Sequence, residues 1–264
     1  MATPNAPPFV ITVSGSDASG AAGMQADNRA IHATGAFPLN VISALTLQTD
    51  LGVQSIDVTP PELVRMHLVN LLNTYPVSVI KVGMLGNSEI VEVVAEALEQ
   101  YPDLRMILDP VIETSGGRPL LDGRGIEALV NHLLPRTFLL TPNLPELGRL
   151  AGGYDIDSDR QEIDYVNVLL EKGCRSVLVK GGHRAGDDVE DRLYDSTGTK
   201  SYSSERIGTK NSRGTGCALA ALISGGLACG FALDDSIRQA KSLLSESLDS
   251  HSGEDWPVSG PSFL

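Results

Sequence analysis

The sequence has little cysteine, little aromatic character and a shortage of positive charge, and each shortage excludes a class of protein. Its three cysteines, Cys174, Cys217 and Cys229, are odd in number and lack paired spacing, which indicates neither a disulfide framework nor a zinc site. Lysine and arginine number 20 against 33 aspartates and glutamates, giving a net charge of −13. This balance argues against nucleic acid or an anionic membrane as the main partner. A small anionic ligand is still permitted, because backbone dipoles can hold one locally.

Targeting and membrane signals are also absent. The first residues, MATPNAPPFVITVSG, lack the basic stretch and apolar core of a signal peptide, so we expect a cytoplasmic protein. Residues 214–233 carry no charge and contain Gly226-x-x-x-Gly230, a pattern also found in dimerising membrane helices. This stretch includes five glycines, which leave the apolar run too short for a membrane span. We therefore predict a buried core helix and no membrane partner.

Apolar runs of strand length alternate with amphipathic helical patterns along the chain. The runs resemble strands buried on both faces of a parallel sheet, and they cover 10–15, 78–83, 105–111, 137–143 and 176–182. Helical spacing is found at about 61–74, 87–100, 123–133 and 159–172. Residues 191–207 contain a turn between two short strand-like pieces, which predicts a hairpin near the sheet edge. Without repeats or linkers, residues 1–264 predict one α/β domain.

Polar residues follow the predicted strands. In open parallel sheets, ligands bind at the carboxyl ends of the strands. Those ends carry, in chain order, Ser14–Asp17, Gly83-Met84, Asp109–Val111, Thr141–Asn143 and Lys180–Gly182. We expect these segments to converge on one rim of the sheet.

The segment KNSRGTGCALAALISGG, residues 210–226, predicts a turn that enters a helix. At Gly214-Thr215-Gly216, successive N–H groups and the helix dipole would favour a bound anion. The alternative is a tight connection without a ligand. The chain contains neither G-x-x-x-x-G-K-[ST] nor G-x-G-x-x-G after a strand, so neither a P-loop nor a dinucleotide-binding fold is supported.

Seven motifs fall in one order over about 200 residues. They are Gly15-Ser-Asp-x-Ser-Gly-x-Ala-Gly-Met-Gln-Ala-Asp27, Ala44-Leu-Thr-x-Gln48, Lys81-Val-Gly-Met-Leu85, Asp109-Pro-Val111, Thr141-Pro-Asn-Leu-Pro-Glu146, Lys180-Gly-Gly-His183 and Gly214-Thr-Gly-Cys217. Together they resemble the hydroxymethylpyrimidine/phosphomethylpyrimidine kinases of thiamin biosynthesis. The resemblance implies a ribokinase-like three-layer α/β sandwich, with a mostly parallel, doubly wound sheet between two helical layers. It also implies two ATP-dependent phosphorylations, first of 4-amino-5-hydroxymethyl-2-methylpyrimidine and then of its monophosphate.

The resemblance assigns roles to individual residues. The catalytic anion hole would comprise Gly214, Thr215, Gly216 and Cys217, with Cys217 standing where related sugar kinases have an aspartate base. ATP and its phosphates would be bound by Asp109, Lys180, Thr209 and Arg213. Mg²⁺ would be organised through water by Asn143 and Glu146. The pyrimidine would be bound by Gly15, Asp27, Gln48, Met84 and Val111. A monovalent cation stays open, and a homodimer is the implied assembly.

The chemistry of the pyrimidine residues fits these roles and leaves alternatives. The Asp27 carboxylate can accept a hydrogen bond from an amine, and the Gln48 amide can both donate and accept. Asp27 on a solvated helix face and Gln48 at a capped strand end are the alternatives. Met84 and Val111 either cover the ring or belong to the core.

The residues assigned to phosphate and metal have alternatives of the same kind. Glu146 supplies negative charge to a metal or is a carboxylate favoured at a helix start. Lys180 follows an apolar strand and contacts phosphate or extends to solvent. Asp109, at another strand end, is expected near the metal and the phosphates.

Cys217 is a candidate base. A thiol pKa of ~8.5 falls at a helix N-terminus near a cation, which predicts partial thiolate at neutral pH. The alternative is a small buried hydrophobe. A hydroxyl acceptor benefits from a base and a phosphate acceptor does not. We therefore predict that Cys217→Ala impairs the first phosphorylation much more than the second.

Three departures from the family pattern and two rival functions remain. Arg213 stands where many members have histidine, and it could neutralise phosphate, face the thiol or point to solvent. Residues 112–118 and the C-terminal SGEDWPVSGPSFL match poorly. The rivals are a pyridoxal kinase and a non-catalytic pyrimidine-binding regulator. Gln48 and the single cysteine after Gly216 favour the pyrimidine kinase, and the full set of phosphate-transfer residues argues against a regulator.

Overall fold

A computed structural model describes residues 6–49, 51–114, 116–153, 156, 158–183, 187–208, 213–250, 260–261 and 263. Its strands are β1 (Phe9–Asp17), β2 (Phe37–Thr49), β3 (Gly52–Val58), β4 (Val77–Val82), β5 (Arg105–Leu108), β6 (Thr137–Leu140), β7 (Ser176–Val179), β8 (Asp188–Asp195) and β9 (Gly198–Glu205). Its α-helices are α1 (Gly23–Ala33), α2 (Pro61–Thr74), α3 (Ser88–Leu98), α4 (Gly123–Ala128), α5 (Leu144–Leu150), α6 (Asp159–Glu171), α7 (Thr215–Ala228) and α8 (Leu233–Asp249). A π-helical turn, Leu129–Leu133, continues α4.

The described strands form one sheet in the order β3-β2-β1-β4-β5-β6-β7-β8-β9. Neighbours from β2 through β7 pair in parallel. At the two edges, β3 pairs antiparallel with β2, β8 with β7, and β9 with β8. The chain winds outward in one direction from β1 and in the other from β4. The strand order therefore reverses between these two strands, where open α/β sheets bind ligands.

Side chains of the central strands alternate between two apolar layers. Val79 packs in the layer formed with α1, α7 and α8, while Ile80 packs in the layer formed with α2 to α6. Such alternation is the two-residue period of a strand with both faces covered. The predicted three-layer sandwich is confirmed.

The uncharged segment beginning at Gly214 forms α7, and its residues 218–227 are buried. A Cβ at Gly225 would lie 2.2 Å from Thr34 Oγ1, and one at Gly226 would lie 3.0 Å from Ser236 Oγ. These glycines let α7 pack closely on α1 and α8, so the predicted core helix is confirmed. Nowhere in the described part of the chain is a helix both long and apolar enough to cross a membrane.

Several predicted element boundaries needed correction. The helix predicted at 61–74 coincides with α2, and the edge hairpin is found as β8 and β9. The strands predicted at 105–111, 137–143 and 176–182 end earlier, at Leu108, Leu140 and Val179. The residues after those strands form the rim at the carboxyl ends of the sheet, where Asn143 and Lys180 make an isolated parallel bridge. The apolar-run analysis does not predict β2, β3, α1, α5 or α8.

Candidate active site

A cavity of about 640 Å³ opens at the carboxyl ends of the parallel strands. Thirteen predicted site residues line it: Gly15, Gln48, Met84, Asp109, Val111, Asn143, Glu146, Lys180, Arg213, Gly214, Thr215, Gly216 and Cys217. Asp27 does not line this cavity, and Thr209 lies outside the described residues. The convergence of the strand ends on one rim is therefore observed.

The Gly214 turn has the backbone geometry of an anion site. Gly214 precedes α7 with φ of 73°, a left-handed conformation that favours glycine. A Cβ on it would lie 2.2 Å from the carbonyl oxygen of Ala21, so the turn packs directly on the loop before α1. A Cβ on Gly216 would lie 3.1 Å from Lys180 Nζ. The first turn of α7 and a lysine ammonium thus bring positive charge to the same point.

Lys180 connects two carboxylates at the centre of the cavity. Its Nζ donates to Asp109 Oδ1 at 2.7 Å and lies 3.8 Å from Glu146 Oε2. Burial opposes the charge of Lys180, but Asp109 and Glu146 raise its pKa. Burial also opposes ionisation of Asp109, while Lys180 and Lys81 hold its pKa below the usual value. The result is a fixed cation held between two acidic groups.

Glu146 caps α5 and faces the cavity. Its backbone N–H donates to Asn143 Oδ1 at 2.8 Å, and its Oε2 accepts from the Asn143 backbone N–H at 2.8 Å. This reciprocal capping box explains the Asn-x-x-Glu spacing. Burial raises the pKa of Glu146 to about 7 against the opposing effect of Lys180. The helix-start role is therefore real, and a poorly solvated carboxylate remains at the cavity wall.

Cys217 contradicts the expected thiolate. Burial raises the pKa of its thiol, Asp109 raises it further, and Lys81 and Lys180 only partly oppose them. The thiol also hydrogen-bonds Asp109, which stabilises its protonated form. The prediction of a lowered pKa is wrong because burial and two acidic neighbours, Asp109 and Asp27, outweigh the helix terminus. The raised pKa favours the neutral thiol over the thiolate.

The opposite side of the cavity is apolar. Met84 packs with Ala44 and Leu120 in a small buried cluster, and Val111 lies against it. A Cβ on Gly15 would come within 2.8 Å of Met84 Sδ, so the glycine lets the methionine approach β1. Met84 and Val111 thus belong to a local core and also form a cavity wall, which suits one face of a planar ring.

Asp17, at the end of β1, was given no role of its own in the sequence motif. It is buried, and its Oδ2 accepts hydrogen bonds from Ala22 N at 2.9 Å, Arg213 Nη2 at 3.3 Å and Gln48 Nε2 at 3.5 Å. A carboxylate that gathers so many donors organises the end of the cavity nearest β2. Its position directly after an apolar strand is the sequence signal that could have identified it.

The environment of Asp27 differs from the one predicted for a pyrimidine-binding residue. Its carboxylate and Lys81 are both 0% exposed, and Lys81 Nζ donates to each carboxylate oxygen at 2.9 Å. Thr12 Oγ1 donates to Asp27 Oδ2 at 2.7 Å. The solvated helix face is wrong, and the buried carboxylate does not line the cavity in which a pyrimidine amine would be bound. Asp27 is instead the counter-ion of a lysine within β4, and a lysine inside an apolar run was the available signal.

Arg213 points across the cavity rather than into solvent. Its Nη2 lies 3.3 Å from Asp17 Oδ2, its Nη1 donates to the carbonyl oxygen of Thr49 at 3.2 Å, and its side chain is 17% exposed. The guanidinium therefore stands at the β2 end of the cavity. It lies beside Gln48, which shares the same Asp17 oxygen.

The far end of the cavity is built by the predicted edge hairpin and by α8, which the sequence patterns did not predict. Lys241 Nζ, on α8, donates to Asp191 Oδ2 at 2.6 Å, and Asp191 Oδ1 accepts from Gly181 N at 2.8 Å. Leu244 and Leu248 line the same end. Their four-residue spacing is the helical signal that would have found them.

Comparison with known proteins agrees with this geometry. Residues 17–256 match the sequence profile of the phosphomethylpyrimidine kinase family. A hydroxymethylpyrimidine/phosphomethylpyrimidine kinase from Escherichia coli K12 is 37% identical over 90% of this chain and 90% of its own. The thiamine biosynthetic bifunctional enzyme TH1 of Arabidopsis thaliana is 36% identical over 92% of this chain and 47% of its own.

Solved structures share the whole fold. The pyridoxal kinase of Staphylococcus aureus in complex with pyridoxal superposes with a TM-score of 0.87 at 26% identity, covering 98% of this chain and 94% of its own. A phosphomethylpyrimidine kinase from Clostridium difficile gives 0.81 at 28% identity, covering 91% and 99%. The fold and the site thus define a ribokinase-like small-molecule kinase. Within that class, this chain belongs to the phosphomethylpyrimidine kinase family.

Proposed function

We propose that this protein transfers phosphate from ATP to the hydroxymethyl group of 4-amino-5-hydroxymethyl-2-methylpyrimidine, and then to the resulting monophosphate. The observation that carries the proposal is one cavity with three chemically distinct parts. The Gly214 turn and Lys180 offer positive charge, and Met84 and Val111 form an apolar wall. Gln48 brings a hydrogen-bonding amide to the same cavity. The relatives named for this activity support the same conclusion.

Phosphoryl transfer needs charge neutralisation and positioning more than covalent help from the protein. In the proposed reaction, the backbone N–H groups of residues 214–216 and the Lys180 ammonium hold the transferring phosphate. Asp109 fixes Lys180 at 2.7 Å and keeps it protonated. Because burial and Asp109 raise the pKa of the Cys217 thiol, we assign it a contact in the anion hole rather than proton abstraction.

The acidic groups of the cavity fit Mg²⁺. Asp109 and Glu146 approach the same lysine ammonium, and oxygen ligands of this kind suit that ion. Among the described residues no group of three or more acidic, histidine or cysteine side chains could hold a metal. We propose that ATP phosphates and water supply most of the shell, with Asn143 and Glu146 contributing through water. Bound Mg²⁺ would neutralise phosphate charge; we propose no role for a monovalent cation.

A pyridoxal kinase is the second candidate, and the whole-chain similarity to the Staphylococcus aureus enzyme favours it. Both substrates present a hydroxymethyl group on a flat heterocycle. The family profile and the relatives named as pyrimidine kinases, one of them 37% identical, favour the pyrimidine.

We further propose that the protein acts as a cytoplasmic homodimer. Apolar side chains are exposed along β2 and β3, where Leu45 is 54% and Leu47 56% exposed, and Ile42 and Val58 lie nearby. An exposed apolar edge of this kind is typical of an interface. Light scattering coupled to gel filtration would give twice the chain mass of 27.9 kDa. A monomer at micromolar concentration would refute the dimer.

The substrate is tested by comparing turnover of the aminopyrimidine alcohol and pyridoxal with ATP and Mg²⁺, at equal enzyme concentration. We expect kcat/KM to be at least about tenfold higher for the pyrimidine. Higher turnover of pyridoxal would make the second candidate correct. ATP hydrolysis without phosphorylation of either compound would refute both.

A further inference from the structure

The Asp17 carboxylate is held as an acceptor on all sides that the structure describes. Its Oδ1 accepts from Ser19 N at 2.9 Å and Ser19 Oγ at 2.7 Å. Its Oδ2 accepts from Ala22 N at 2.9 Å and faces Arg213 Nη2 at 3.3 Å. Every one of these partners donates, so the carboxylate is fixed in position and can only accept from the next group that approaches.

The next group is the Gln48 amide. Its Nε2 lies 3.5 Å from Asp17 Oδ2, a long contact that still decides the orientation, because the amide oxygen in that place would face a negative charge. Thr46 Oγ1 lies 3.3 Å from Gln48 Oε1, but its one proton is also directed to the carbonyl oxygen of Ser16 at 2.9 Å. The shorter bond takes that proton, so Thr46 orients Gln48 only weakly.

We propose that Asp17 is a positioning residue that turns the Gln48 carbonyl oxygen to the substrate and so selects a ring bearing an exocyclic amine. With Nε2 held at Asp17, the amide offers its oxygen as an acceptor in the cavity that Gln48 lines. An exocyclic amine donates a hydrogen bond to this oxygen. An exocyclic oxygen in the same place leaves two acceptors facing each other. The inference rests on the proposed pyrimidine substrate. It adds how the protein distinguishes a ring with an exocyclic amine from a ring with an exocyclic oxygen.

The test compares 4-amino-5-hydroxymethyl-2-methylpyrimidine with its 4-oxo analogue, in which an oxygen replaces the amine and the adjacent ring nitrogen carries a proton. Turnover with ATP and dissociation constants from calorimetry are measured for wild type, Asp17→Asn and Thr46→Val. We expect wild type to prefer the amine by about tenfold or more, the usual effect of one unmade hydrogen bond in a buried site. Asp17→Asn should reduce this preference at least about fivefold, because an asparagine amide accepts either orientation of Gln48. Thr46→Val should keep the wild-type preference.

The results separate three conclusions. If wild type phosphorylates neither compound, the proposed function fails, while the binding preference still tests Asp17. If Asp17→Asn lowers turnover and affinity for both compounds by one factor, with the preference unchanged, the positioning role is wrong. A loss of preference in Thr46→Val alone would assign the orientation to Thr46 instead. Should Asp17→Asn fail to fold, Gln48→Met keeps the proposal testable, because wild-type preference in that variant would overturn it.

Discussion

Glu146→Gln removes a buried negative charge and leaves the capping box of α5 intact. The side chain is 6% exposed, and burial raises its pKa from 4.5 to about 7. A glutamine oxygen can still accept from the Asn143 backbone N–H, as Glu146 Oε2 does at 2.8 Å. The substitution therefore changes charge with little change in shape.

The direction in which stability changes with pH follows from proton binding. Between pH 4.5 and 7 the folded protein holds a proton on Glu146 that the unfolded chain has lost, so the stability contributed by this group falls as pH rises through that window. At about 1.4 kcal/mol per pKa unit, the ionised carboxylate costs roughly 3 kcal/mol at pH 8 and under about 1 kcal/mol at pH 5. Lys180 loses an acidic neighbour at 3.8 Å in the variant, which offsets part of the gain. We expect Glu146→Gln to be more stable by about 1–3 kcal/mol at pH 8 and by under about 1 kcal/mol at pH 5.

Urea unfolding of the metal-free protein at both pH values measures this difference. Glu92→Gln, at an exposed position on α3, is the matched control and should change stability little at either pH. An equal effect of Glu146→Gln at pH 5 and pH 8, or a loss of stability at pH 8, would refute the raised pKa. The same variant should lose phosphotransfer activity, since it removes a proposed metal-organising carboxylate.

Three further substitutions test separate parts of the structure. Because burial and Asp109 raise the pKa of the Cys217 thiol, Cys217→Ala should slow the two phosphorylations by similar factors in single-turnover assays. A loss of rate more than about tenfold greater in the first step would support Cys217 as the base of that step. Lys81→Met leaves Asp27 as an uncompensated buried charge and should destabilise the protein by about 3–5 kcal/mol in urea, with partial recovery in Lys81→Met/Asp27→Asn; a stable single variant would contradict the ion pair. Gly214→Ala forces a Cβ to 2.2 Å from the Ala21 carbonyl oxygen in a left-handed turn, so it should cost at least ~1 kcal/mol and weaken ATP binding measured by calorimetry. Unchanged ATP affinity in that variant would remove the turn from the phosphate site.

The sequence predicts the site well where position along a strand decides function. Asp109, Asn143 and Lys180 each follow an apolar strand, and the topology of a parallel sheet brings such residues together. The ordered motifs identified the family, which neither composition nor periodicity indicates. Elements without a clear period were missed, and β2 is an example, because apolar Leu45 and Leu47 occupy its exposed positions.

The sequence does not predict the burial and the charged neighbours of an individual side chain. Asp27 has the residue type expected for an amine contact, but its burial against Lys81 depends on the packing of α1 against β1, the strand that pairs with β4. The pKa of Cys217 depends on Asp109, 108 positions earlier in the chain, and on the exclusion of water. The positioning role proposed for Asp17 depends on Gln48 and Arg213, which share its carboxylate only in the folded chain.

The central claim is that one cavity performs two successive phosphorylations of an aminopyrimidine. The most direct measurement is a time course with purified protein, Mg²⁺, ATP and 4-amino-5-hydroxymethyl-2-methylpyrimidine, followed by phosphorus NMR. The monophosphate should appear first and then decline as the diphosphate accumulates, with one ADP released for each phosphate transferred. ADP release without a phosphorylated pyrimidine, or phosphorylation of pyridoxal alone, would contradict the claim.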